Sequence, residues 1–277
     1  MSSLTFFNIG HRCNKINLVE PRPTIDLSDI TFFEPFALVY LGMFLRHFNS
    51  QGRSFDVAPP NDERARGYLA RQRFWDRFNF NPQVIKAENL RSFTTSTSLN
   101  DIVDIKKEQH VAEKLAEAVA DVVEKNAVNL PPSVVAEVTA ELVQNFVEHS
   151  GQNLAAFMVQ YYPNSKPLGK LVMAIGDCRK GIRACLSATE KYAYLANRPH
   201  YEAILKALEP GVSSKGGGGG TGFSEMLDYI TDLKGAFRIV TGDEYIIVNG
   251  KTGKAKAEKM GFELTGVQIE LIFPGRP

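Results

Sequence analysis

The chain has 277 residues, 44% of them hydrophobic, and a formal charge of +1 at pH 7. That length admits two domains or one large one; the composition excludes wholesale disorder, and the near-neutral balance argues against a protein devoted to coating nucleic acid. Three cysteines without zinc-ligand spacing (Cys13, Cys178 and Cys185), no apolar run of the ~18 to 20 residues a membrane span needs, and no basic-then-apolar leader give a soluble, cytoplasmic protein with reduced thiols as the expectation.

Residues 1–80 read as a small α/β unit. Thr24 to Ser28 alternates like a strand, and Thr31 to Pro35 reads as the turn after it. Phe36 to Phe48 is strongly apolar at helical spacing. Ser54 to Ala58 is a second short strand, closed by Pro59 and Pro60, and Asn61 is placed to cap a helix carrying Tyr68, Leu69 and Phe74. Strand, helix, strand, helix of these lengths implies a right-handed crossover and a sheet with helices on it.

This unit, taken as residues 1–90, resembles the STAS domain of bacterial anti-sigma-factor antagonists. In that family a turn of the form Asp-Ser-Ser-Gly before the first helix carries a serine that accepts phosphate. Glu34-Pro35-Phe36-Ala37 stands in its place and has neither serine. The resemblance therefore implies a regulatory or docking module that is not itself phosphorylated.

Residues 91–104 read as a linker, with a polar, β-prone run from Ser92 to Ser98. Ile105 to Asn126 follows as a packing helix, with Val111, Leu115, Val119 and Val122 along one side. Next comes a helix opened by Pro131-Pro132-Ser133 and ended by Gly151. Glu141, Asn145, Glu148 and His149 share one polar stripe on it, while Leu142, Val143, Phe146 and Val147 lie outside the stripe. A surface helix carries such a stripe by chance often enough, but this one sets a carboxylate one turn from a neutral carboxamide that could hold a metal.

Leu154 to Tyr162 and Leu171 to Ile175 read as strands, the second running straight into Asp177, with Gly181 four residues on. An aspartate at the end of a buried strand is costly without partners, and a purine amine would be one. Residues 183–215 hold helical stretches without a clear core pattern. Gly216 to Gly220, Thr221 and Gly222 then precede a helix from Ser224 to Leu233. A glycine run alone reads as a flexible linker; at a helix N-terminus its bare amides suit a phosphate. Ala236 to Thr241 and Glu244 to Val248 read as a hairpin about Gly242-Asp243, and Gln268 to Phe273 as the last strand.

In this order the Glu141/Asn145 pair, the Asp177/Gly181 pair and the glycine run resemble the GHKL ATP-binding fold of gyrase, the heat-shock chaperone and histidine kinases, and most closely the anti-sigma-factor serine kinases. The resemblance covers residues 105–277 and implies an α/β chain ending in a two-layer α/β sandwich that binds ATP with Mg²⁺. Carried over, Asn145 would hold the metal, Asp177 the adenine amine, and Gly181 would let the backbone approach the base. Gly218, Gly220, Thr221 and Gly222 would hold the phosphates, and Glu141 would orient or deprotonate the attacking water or hydroxyl. Lys215, just before the glycines, is placed to neutralise phosphate. Two departures stand out: Arg179 occupies a position usually held by glycine, and Gly266-Val267 stands where Gly-Thr is common. His149 reads as a structural histidine, because no separate dimerisation helix is present to carry a phosphoacceptor.

The expected function is a cytosolic ATP-dependent regulator that hydrolyses ATP or phosphorylates a serine or threonine on a partner protein, itself STAS-like or sigma-factor-like. The alternative is a non-catalytic switch ordered by ATP. Proteins of this fold often dimerise, so a homodimer is compatible. A DNA-linked ATPase is disfavoured by the near-neutral charge and the lack of a following transducer domain.

Overall fold

The computed structural model describes residues 2–78, 99–105, 110–126, 128, 130–149, 155–165, 169–213 and 222–275. Five strands form an antiparallel sheet in the order β5-β6-β7-β9-β8: β5 (Leu99–Ile105), β6 (Ala155–Tyr162), β7 (Lys170–Gly176), β8 (Ala236–Asn249) and β9 (Lys254–Pro274). Both β6 and β7 are apolar runs that do not alternate with polar residues, which is the mark of a strand buried on both faces. Phe157, Val159, Leu171, Met173, Ile175, Ile269 and Leu271 point into one core, and Ala156, Met158, Ala174 and Val240 into the other.

The first core lies under a helical layer of α5 (Val111–Lys125), α6 (Pro132–His149), α7 (Ile182–Ser187), a 3-10 segment (Glu190–Asn197), α8 (His200–Ala207) and α9 (Gly222–Asp232). Residues 2–78 cover the second core: β1 (Ser2–Leu4), α1 (Ile9–Asn14), β2 (Thr24–Asp26), β3 (Ile30–Phe33), α2 (Pro35–Asn49), β4 (Asp56–Ala58), α3 (Glu63–Arg71) and α4 (Phe74–Arg77). The chain is thus mixed α/β, with the sheet between two coverings. Among the described residues, no helix is long and apolar enough to cross a membrane. The three cysteines are unpaired.

The N-terminal unit contains the expected strand, helix, strand and helix (β2, α2, β4 and α3) but adds β1, α1 and β3 to them and lacks the expected single sheet. Its strands form two separate parallel pairs, β1 with β3 and β2 with β4. The reason lies in α2, which buries every residue from Pro35 to Leu45. A helix apolar all round needs cover on all sides, and two short ladders cannot provide it. The back of the five-stranded sheet supplies the rest, so the two ends of the chain share one core.

Several local readings change for the same kind of reason. Residues 31–33, read as turn, belong to β3, because pairing with β1 satisfies their backbone. The cap of α3 is Asp62, not Asn61: its carboxylate accepts from the Ala65 amide at 2.8 Å. Of the expected linker 91–104, residues 99–104 lie in β5, an edge strand paired with β6, while 91–98 lie outside the described residues. The helix expected from Ile105 begins at Val111.

Gly242 is not a hairpin turn. It adopts φ +63 within β8, and the chain reverses at 250–253. Opposite it the pairing jumps from Gly242↔Leu264 to Glu244↔Lys259, so residues 260–263 of β9 bulge out toward the N-terminal unit. There Phe262 meets Phe44 at 5.3 Å between ring centroids, and the Tyr40 hydroxyl donates to its carbonyl at 3.4 Å.

Arg46 ties the last turns of α2 to the sheet. It pairs with Asp104 of β5, donates to the Ala155 carbonyl at 3.3 Å and lies 4.7 Å over the Phe78 ring. Arg77 holds the same aspartate at 3.5 Å. Arg46→Met is expected to cost about 2 kcal/mol in urea unfolding, below the full loss for a buried pair because Asp104 keeps a second arginine and some water.

Candidate functional site

Helix α6 buries Val135, Val138, Leu142, Val143 and Phe146 on the sheet. Thr139, fully enclosed, donates to the Val135 carbonyl at 2.7 Å and lies 3.4 Å from the sulfur of Met173 in β7. This packing leaves Glu141 and Asn145 half-buried, one turn apart on the flank of the helix. The chain leaves α6 at His149 and enters β6 at Ala155, whose neighbour Ala156 pairs with Gly176 at the end of β7. The C-terminal part of α6 and Asp177 therefore lie at one end of the sheet. The side chain of His149 lies outside the described residues.

Asp177 is 4% exposed. Its Oδ1 accepts from the amides of Arg179 at 3.1 Å and Val267 at 3.2 Å, and its own amide donates to the Val267 carbonyl at 2.9 Å. Burial raises the carboxyl to about 6, against the pull of those two amides and of the Arg179 charge. Both Oδ1 bonds come from the backbone, so the turn aims the carboxylate without spending a side chain on it.

Gly181 caps α7 directly over Thr241 of β8, where a Cβ would come within 2.4 Å of the hydroxyl oxygen. The Thr241 hydroxyl donates to the Gly266 carbonyl at 2.9 Å and accepts from the Ile182 amide at 3.3 Å. Val267 thus leaves this end of the sheet with a hydroxyl after all, on the neighbouring strand. Gly266 itself has φ +96, and a Cβ there would lie 2.3 Å from the Asp177 carbonyl oxygen and 2.5 Å from Oδ1. Gly266→Ala is expected to cost about 3 kcal/mol or more, combining a disfavoured φ with a backbone clash. Thermal unfolding reads that loss, and the variant should lose whatever Asp177 binds.

Helix α9 brings a further carboxylate. Burial, then the charges of Glu225 from α9 and of Glu148 and Glu137 from α6 itself, raise the Glu141 carboxyl above its usual range. Glu225 lies in the first turn of α9, which packs against α6. Lys215, Gly218, Gly220 and Thr221 lie outside the described residues.

The Nδ2 of Asn145 is buried and has no hydrogen-bond partner among the described residues. Among the described residues no group of three or more His, Cys, Asp or Glu side chains is arranged to hold a metal ion. A cation at Asn145 would thus take most of its ligands from water and from a bound anion, the habit of Mg²⁺. The repelling carboxylates around Glu141 suit such a cation, and the orphaned N–H suits an acceptor such as a phosphate oxygen.

Three residues of this end were not legible as site residues: Thr241, Thr265 and Gln268. Each sits in a strand far from Asp177 in sequence, and only pairing of β7 with β9 and of β9 with β8 brings them to the turn. Searches against protein-family models, curated proteins and solved structures find no match to this chain.

Proposed function

We propose that this end of the sheet binds an adenine nucleotide with Mg²⁺, in the manner of the GHKL ATPases the sequence resembles, and that the protein uses it to regulate a partner protein. The observation that carries the reading is Asp177: an enclosed carboxylate, with Oδ1 saturated by two amides and Oδ2 left for a donor such as the adenine amine. Asn145 would hold the metal, which would neutralise phosphate charge. Gly222 and the glycines before it would supply amides to the phosphates. Glu141, made more basic by burial and then by its acidic neighbours, would take the proton of an attacking water or of a partner's serine or threonine hydroxyl.

Isothermal titration of ATP, ADP and GTP, each with and without Mg²⁺, tests the binding step. The expected result is adenine selectivity and an affinity for ATP that rises with Mg²⁺; equal binding of GTP, or none of either, would refute it. Phosphate release and label transfer to candidate regulatory proteins test the chemistry. A second reading, a non-catalytic switch, is favoured by one observation: the N-terminal unit shares its core with the back of the nucleotide-binding sheet. Nucleotide binding without turnover in either assay would select that reading.

A further inference from the structure

The back of the Asp177 turn faces the N-terminal unit, and what meets it there is polar and fully enclosed. Gln268 of β9 is 0% exposed on that face. Its Nε2 donates to the Asp177 carbonyl at 2.7 Å and approaches the Thr265 carbonyl at 3.4 Å. The amide orientation follows from those two carbonyls, since a flipped amide would turn its oxygen against both. The Oε1 is buried with no partner among the described residues. A buried glutamine with half its amide unsatisfied is a poor packing residue; a leucine or methionine would fill the space at less cost. The bond that justifies it is the one to the Asp177 carbonyl.

Helix α2 closes on the same spot. Val39, Met43 and the Gln268 side chain all crowd Gly176: a Cβ there would lie 3.0 to 3.2 Å from each. One turn on, Arg46 holds the Ala155 carbonyl and His47 reaches Thr265. The Gln51 amide nitrogen lies 3.0 Å from His47 Nε2. His47 Nδ1 lies 2.9 Å from the Thr265 hydroxyl oxygen, which in turn lies 3.3 Å from the Cys178 carbonyl oxygen. Val39, Met43, Arg46 and His47 follow helical spacing, so one face of α2 reaches the Cys178 carbonyl through Thr265 and packs against Gly176, the residue before Asp177, on which Gln268 also closes.

We infer that Gln268 is a positioning residue for Asp177, and that this face of α2, acting through Gly176 and Thr265 on the same turn, makes the N-terminal unit a regulator of nucleotide affinity. A partner that shifts α2 loosens or tightens the turn that aims the carboxylate, with no contact to the nucleotide itself. The inference rests on the reading of Asp177 as the acceptor for the base.

The test compares Gln268→Met and His47→Ala with the wild type and with Asp177→Asn, measuring Mg-ATP affinity, its pH midpoint, its ratio with and without Mg²⁺, and thermal stability. Gln268→Met is expected to weaken binding roughly tenfold and to move the midpoint below about 6, because a loosened turn admits water to the carboxylate. The Mg²⁺ ratio, set on α6, should stay at its wild-type value. His47→Ala, at the half-exposed end of α2, should weaken binding by about threefold without a change in unfolding temperature. If both variants bind with wild-type affinity and midpoint while Asp177→Asn does not bind, the regulatory inference fails and the base site stands. If Asp177→Asn binds as the wild type does, the base site fails and takes the inference with it. Should Gln268→Met not fold, His47→Ala decides alone.

Discussion

Asp177→Asn should lose adenine nucleotide and gain stability, and the two effects should have opposite dependence on pH. The substitution is nearly isosteric: the asparagine oxygen can keep the amides of Arg179 and Val267, and its nitrogen replaces Oδ2. An exocyclic amine arriving at that position then meets a donor instead of an acceptor. Leaving buried polar groups unpaired in this way lowers affinity by roughly 100-fold or more. The wild type should itself lose affinity below about pH 6, by about tenfold per pH unit, as the carboxyl takes up the proton that the amine requires it to lack.

Stability runs the other way. The carboxyl of the unliganded protein lies at about 6, above its ordinary 3.8, so folding favours the protonated form. That contribution is complete below about pH 3.8 and is lost as pH rises through about 6. At neutral pH the enclosed charge should cost on the order of 3 kcal/mol. Asp177→Asn removes the charge, so its unfolding temperature should exceed that of the wild type at about pH 7.5 and approach it at about pH 4. Urea unfolding and nucleotide titration across that range measure both effects. A variant that loses binding and stability together at neutral pH would mean the aspartate serves the fold instead of a ligand.

The second large effect separates the two polar residues of α6. Asn145→Ala should abolish the enhancement of ATP affinity by Mg²⁺, roughly 10- to 100-fold, and leave the Mg²⁺-independent affinity near wild type. Glu141→Gln should leave affinity near wild type and lower phosphate release or transfer by roughly 100- to 1,000-fold. The split follows from what each side chain offers. Asn145 is a neutral side chain whose oxygen could ligate a cation and whose buried amide nitrogen is left without a partner among the described residues. Glu141 is a carboxylate whose proton affinity burial and the charges of Glu225, Glu148 and Glu137 raise. Unchanged turnover in Glu141→Gln would leave the switch as the function. Equal Mg²⁺ dependence in Asn145→Ala would place the metal elsewhere.

The sequence alone determined the pieces whose cause is local. Helix α6 is legible from Pro131 and Pro132 and its apolar spacing, β6 and β7 from their apolar runs, and α2 from the strongly apolar stretch Phe36 to Leu45. The carboxylate and carboxamide on one helix and the aspartate after a buried strand could be picked out for the same reason: spacing along one element is a property of that element. The tertiary structure decided what those pieces meet. No period in the chain says that α2 must lie against the back of the sheet, since an apolar helix is satisfied by any apolar surface. Only the assembled sheet offers enough. Nor does any local pattern reveal that Gln268 and Thr265, about 90 residues from Asp177, hold the two carbonyls of its turn. A hydrogen bond across strands depends on register, and register is settled by the whole sheet and the two layers packed on it.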